Sequence, residues 1–129
     1  MRGRWAFAAI TLILLSGCSQ DVNEGEAART AVAFLSAEPG QACGLLVEDT
    51  AEAIASHAGT ACAQALADHR LPEVSSVRGV EVAGESAVVR FDDQVVFLAH
   101  FPDGWRVRAA GCVRTDEDPA VPYDCEVEP

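Results

Sequence analysis

The chain has 129 residues, half of them hydrophobic (50%), and a formal charge of −11. Lysine is absent, two of the nine arginines (Arg2 and Arg4) precede residue 18, and all twenty carboxylates follow it, so residues 18–129 set seven cations against twenty anions, a formal charge of −13. A field of that sign repels nucleic acid and anionic headgroups and argues against both as partners. The length suits one domain with a modest core.

Arg2 and Arg4 introduce an apolar run, Trp5 to Leu15, of 11 residues interrupted only by Thr11. A hydrocarbon core about 30 Å thick needs about 20 helical residues, so the run reads as a removable export signal rather than an anchor. It closes on Leu15-Ser16-Gly17-Cys18, which resembles the lipobox of bacterial lipoproteins. The resemblance implies cleavage before Cys18, attachment of palmitate-type acyl chains to that cysteine, and residence on the extracytoplasmic face of the cell membrane. Several acyl chains together give stable anchoring where one does not. The cysteine count points the same way. An exported protein normally pairs its thiols, and five cysteines, at 18, 43, 62, 112 and 125, leave one over until Cys18 is set aside.

The expected organisation is therefore a signal peptide at 1–17, a lipidated tether at 18–25 and a single domain at 26–129. Ser19 to Gly25 is polar and aperiodic, and as flexible chain it would hold the domain within about 15 Å of the bilayer.

Helical spacing follows. In residues 26–38, Ala28, Ala31, Val32 and Leu35 fall at i, i+3, i+4 and i+7 with Phe34 flanking, and Pro39-Gly40 ends the pattern. A short helix over 41–47 would place Cys43 and Leu46 on one side. Asp49 with Glu52 has the form of a capping box opening a third helix through His57, which Gly59 closes. A fourth, over 60–69, aligns Cys62, Leu66 and His69 before Leu71-Pro72 breaks it.

Then the period changes to two. Val80 and Val82 alternate with Glu81, Gly84-Glu85 turns the chain, and Ala87, Val89 and Phe91 alternate with Val88 and Arg90. Asp92-Asp93 turns into a strand from Gln94 to Phe101 that is apolar on both faces, and Pro102-Asp103-Gly104 leads into Trp105 to Ala109. The expectation is an α+β domain with helices packed on a four-stranded antiparallel meander. One sheet face would collect Phe91, Phe97, Phe101, Trp105 and Val107 beneath the helices. The other would carry Val88, Arg90, Val96, Leu98, His100, Arg106 and Arg108.

Cys43, Cys62, Cys112 and Cys125 allow three pairings. The favoured one joins Cys43 to Cys62 on successive short helices and Cys112 to Cys125 around a polar tail, which would bring Tyr123 near the Cys112 end of the sheet. No CxxC occurs and no cysteine sits with histidine at ligand spacing, so no metal or redox centre is expected, and no cofactor. His57, His69 and His100 are isolated, no serine stands in a nucleophile elbow, and no Gly-rich phosphate loop is present. Asp92 and Asp93, with Asp103 and Asp68, read as solvated turn carboxylates rather than a calcium loop. No catalytic residue is assigned.

Several stretches resemble small actinobacterial lipoproteins with an NTF2-like (cystatin-like) cone: Cys-Gly-Leu-Leu, Ala-Cys-Ala-Gln-Ala-Leu, Gly-Val-Glu-Val-Ala-Gly, and above all Phe-Pro-Asp-Gly-Trp-Arg-Val-Arg-Ala-Ala-Gly-Cys followed by Pro-Tyr-Asp-Cys-Glu. The resemblance covers nearly all of residues 26–128. Folds of this type include isomerases, dehydratases and non-catalytic binding modules. The isomerase-type members use a cavity tyrosine and aspartate, whereas here the sole tyrosine, Tyr123, lies in the tail.

The functional expectation is a non-catalytic binding or scaffolding module. Its candidate contact face, Arg90, Leu98, His100, Arg106 and Arg108, gathers three of the seven arginines beyond residue 17 on one surface and would meet an envelope protein or a second copy of the chain. The alternative is a carrier of a small apolar ligand in the cone. An isomerase or hydrolase ranks behind both.

Overall fold

The structure, a computed structural model, describes residues 18–129, so the expected export signal lies outside the described residues. Helices come first: α1 (Cys18–Ser36), α2 (Pro39–Cys43), α3 (Glu48–Ala58) and α4 (Cys62–Asp68). Five strands follow, β1 (Gly79–Ala83), β2 (Ser86–Arg90), β3 (Val95–Phe101), β4 (Gly104–Val113) and β5 (Asp124–Val127). The sheet runs in chain order, β1-β2-β3-β4-β5, each strand antiparallel to its neighbour. The α+β expectation is met, with one strand more than the four expected. The extra strand, β5, is the folded-back tail, with Cys125 directly opposite Cys112.

Both disulfides form as favoured. Cys43–Cys62 ties α2 to α4 across a sequence separation of 19, and Cys112–Cys125 ties β4 to β5 across 13. Loops of this size are worth about 3 kcal/mol each in the chain-entropy picture.

The segment expected to be a flexible tether is helical, because α1 starts at Cys18. Its C-terminal half is fixed to the sheet by Ala27, Ala31 and Phe34, all buried. Once that half is nucleated, each added residue costs little, and Asp21 in the first turn suits the positive end of the helix dipole. The deepest stripe of α1 is Ala27, Ala31 and Phe34, a small rotation from the expected Ala28, Ala31, Val32 and Leu35.

Pro39 ends the α1 pattern by starting α2, where its fixed φ and missing N–H are harmless at the first position. The cap of α3 differs from expectation too. Val47 is its N-cap residue and its apolar side chain accepts no capping bond, while Asp49 lies in the first helical turn. Val47 is held instead by the sheet: its N–H donates to Val107 O at 2.8 Å and Val107 N–H donates to Leu45 O at 2.8 Å. Thr50, fully buried, donates its hydroxyl to Arg108 O at 2.8 Å. Gly59 closes α3 in the left-handed conformation, as its sequence position predicts.

α1 lies across β1 to β4, and Phe34 packs among Ala87, Val89, Val96, Leu98, Trp105 and Val107 in one core. Removing a side chain such as Phe34 or Leu98 from water contributes about 1.5–3 kcal/mol.

The register of β3 corrects the expected faces. Val96 stands opposite Val89 and Leu98 opposite Ala87. Paired residues share a face, so Val96 (0% exposed) and Leu98 (2%) point under the helices. Phe97 takes the outer face opposite Val88, and Phe101, at 37% exposed, leaves the core. His100 pairs with Trp105 and turns to the helix side at the rim. A strand apolar on both faces gives no alternation to choose between them, and pairing with β2 makes the choice. Register shifts between β3 and β4 near Val95 and Phe97 mark a bulge, and Gly111 on β4 takes φ 66° beside it.

Gln94, 3% exposed, pins this region: its Nε2 donates to Pro72 O at 3.2 Å and its Oε1 accepts Gly111 N–H at 3.1 Å. The amide thus ties the linker before β1 to the bulge in β4.

Candidate functional site

Of the expected contact face, Arg90, Arg106 and Arg108 stay on the outer side of the sheet, while Leu98 and His100 do not. Two of the three arginines are already neutralised. Arg90 Nη1 lies 2.6 Å from Glu81 Oε2, and Arg106 Nη2 lies 2.6 Å from Asp103 Oδ2. The hydrogen bond to Glu81 is the main reason the Arg90 guanidinium titrates above its ordinary value, against slight desolvation. The hydrogen bond from Arg106, and then its charge, hold Asp103 below the usual carboxylate range. Arg106 also donates to Gly44 O at 3.3 Å. Arg108 is exposed and forms no ion pair among the described residues.

The outer face gains an aromatic centre that alternation alone assigned to the core. Phe97 meets Tyr123 edge-on, with ring centroids 5.2 Å apart at 75°. The Arg114 guanidinium sits 4.6 Å over the Tyr123 ring. Tyr123 is near the Cys112 end of the sheet, as expected. The face is thus Val88, Phe97 and Tyr123 bordered by Arg90 and Arg114, a mixture of half-buried apolar surface and arginine that suits contact more than solvation. A cleft of 410 Å³ runs beside it, lined by Tyr123, Arg114, Asp92 and Asp93.

Three of the four carboxylates considered as a cation site have other partners. Asp92 pairs with Arg78, Asp93 accepts the Ser75 hydroxyl at 3.4 Å, and Asp103 is held by Arg106. Among the described residues no group of three or more His, Cys, Asp or Glu is placed to hold a metal. His57 and His69, read as isolated, share a cleft of 410 Å³ with Glu126 and Glu128, where His69 Nδ1 is 3.9 Å from Glu126 Oε2.

No family model, no curated protein and no solved structure matches this chain.

The β3–β4 hairpin is flanked by two larger clefts. One, of 620 Å³, has Leu46, Val47, Ala51 and Phe101 in its wall with Arg106. The other, of 540 Å³, lies between the hairpin and Glu26, Arg29 and Thr30 of α1, with Trp105 and His100 on the sheet side. Trp105 is 6% exposed, its ring 4.8 Å from His100, and its Nε1 is buried with no hydrogen-bond partner among the described residues. An unmet donor of this kind costs about 1–3 kcal/mol. Sequence reading placed Trp105 in the core and missed the cleft, because nothing in local spacing brings Glu26 and Arg29 to His100 and Trp105, more than seventy residues away.

Proposed function

We propose that the protein is a lipid-anchored lipoprotein of the extracytoplasmic membrane face, acting as a non-catalytic binding or scaffolding module. The observation that carries the anchor is arithmetic: two disulfides account for four of the five cysteines, and the fifth is the Cys18 that closes the lipobox-like segment. The succession of helices before an antiparallel meander supports the NTF2-like (cystatin-like) resemblance. The docking surface in this reading is the outer sheet face around Phe97 and Tyr123, and its occupant is an envelope protein or a second copy of the chain.

The decisive experiment is fractionation. Cys18→Ser moves the chain from the membrane pellet to the soluble extracytoplasmic fraction. A mutant that still sediments with membranes ends the lipoprotein reading. The fully buried Phe34, Leu98 and Val107 between α1 and the sheet support the contact-face reading over a carrier with an apolar cone cavity.

A further inference from the structure

The outer face of the sheet departs in charge from the rest of the domain. Residues 18–129 carry a formal charge of −13, yet four of their seven arginines, Arg90, Arg106, Arg108 and Arg114, lie on this face or at its border. Among the described residues, two carboxylates meet them: Glu81 pairs with Arg90, and Asp103 with Arg106. Asp92 is taken up by Arg78, and Asp93 accepts the Ser75 hydroxyl. Asp124 and Glu126 flank Cys125 on β5 and so take the opposite face from it. Arg108 and Arg114 are exposed, and neither enters an ion pair among the described residues.

Beside these two cations lies an apolar centre. Val88 stands opposite Phe97, Phe97 meets Tyr123 edge-on, and all three side chains are half-buried. The Cys112–Cys125 bond, two residues beyond Tyr123, ties this segment to β4. Arg114 lies over the Tyr123 ring, a contact that steadies a guanidinium while leaving its N–H groups free to donate. Aromatic side chains and arginine are the residues that concentrate at the centres of protein contacts.

Charge selects the occupant. A second copy, related by a twofold axis, would present the same arginines to Arg108 and Arg114. A basic segment would meet the same repulsion. A large acidic surface is repelled at long range by the domain's field. Charges more than about 8 Å away are largely screened at physiological ionic strength, so a short segment responds chiefly to the arginines it touches. We propose that the outer face docks a short acidic and apolar segment of another protein. Its carboxylates accept hydrogen bonds from Arg108 and Arg114, and its apolar side chains cover Val88, Phe97 and Tyr123. This assignment rests on the contact-face reading and is independent of the lipid anchor.

The test selects phage-displayed random heptapeptides on the immobilised full chain in a maltoside detergent, then measures the enriched peptides by fluorescence polarisation. The expected winners carry Asp or Glu beside Leu, Ile or Phe. Arg108→Gln and Arg114→Gln each weaken them about tenfold, keeping the wild-type melting curve. Arg70→Gln, at an exposed arginine after α4, leaves affinity unchanged. Replacing the apolar residues of the peptide with serine weakens it as much as either arginine variant. Winners that are basic or uncharged, or acidic winners indifferent to both Arg108→Gln and Arg114→Gln, overturn the acidic occupant. A dimer seen by light scattering and dissolved by Val88→Asp, with no acidic peptide enriched, overturns it too but keeps the contact face, with a second copy as partner. A strict monomer that enriches no peptide overturns both.

Discussion

Three glycines separate the cost of a left-handed backbone from the cost of crowding. Gly111 has φ 66°, and a Cβ there would stand 2.8 Å from Leu71 Cδ2, 2.9 Å from Glu126 Cβ and 3.1 Å from Glu126 Cγ. Gly59 has the same φ of 66°, but among the described residues its Cβ would meet nothing within 4 Å. Gly40, in α2, has no left-handed φ, and an added Cβ would meet nothing within 4 Å among the described residues. Gly40→Ala should therefore be neutral or stabilising by about 0.5 kcal/mol, through reduced freedom of the unfolded chain. Gly59→Ala should lose about 1–2 kcal/mol for the left-handed conformation alone. Gly111→Ala incurs the same loss and adds about 1–3 kcal/mol of overpacking, because Glu126 Cβ is fixed to the β5 backbone while only the Leu71 methyl can swing aside. The total, about 2–5 kcal/mol, is a large part of the 5–15 kcal/mol typical of a domain. Urea unfolding of the oxidised protein, followed by Trp105 fluorescence, ranks the three. If Gly111→Ala is no less stable than Gly59→Ala, β5 does not approach β4 as closely as described.

Gln94→Leu should cost about 2–4 kcal/mol, since it strands the Gly111 N–H in the interior and releases Pro72 O; hydrogen exchange at the Gly111 amide should accelerate with it, and unchanged protection would refute the clamp. The Asp103–Arg106 pair predicts a pH dependence of definite sign. The folded pKa of Asp103 is lowered, so its contribution is complete above the ordinary carboxylate range and disappears as the pH falls through the lowered value. Asp103→Asn should flatten that acid limb of the melting temperature slightly, and high salt should erase the difference because both partners are solvated. A wild-type limb steeper at high salt than at low would contradict this assignment.

Much of the fold is legible in local sequence. Gly59, Gly84, Pro102-Asp103-Gly104 and the alternation of Ala87 and Val89 place α3 and the hairpins, and the Cys43–Cys62 and Cys112–Cys125 pairings follow from the elements they join. The faces of β3 are not legible that way. Val95 to Phe101 is apolar throughout, and only its pairing with β2 turns Leu98 inward and Phe97 outward. Alternation in β2 already held that signal, since Arg90 stands opposite Val95 across the Asp92-Asp93 turn. β5 was hidden because Asp-Cys-Glu-Val is short and acidic, and what makes it a strand is a covalent bond to β4. The outer contact face was read in part, through Arg90, Arg106 and Arg108. The hairpin clefts were not, because they are assembled from segments distant in the chain.

β4, the longest strand, would present a long open edge if the sheet ended there. Its outer edge is divided between two guards: Leu45 to Val47 bonds to Val107, and β5 covers Ala110 to Val113. The second guard is only four residues long and is stapled by Cys125. An unpaired edge is a template for another chain. The Cys112–Cys125 bond therefore does more than stabilise the monomer. In an oxidising compartment it keeps β4 closed to strand addition, and a reducing one would turn the same strand into a site of aggregation.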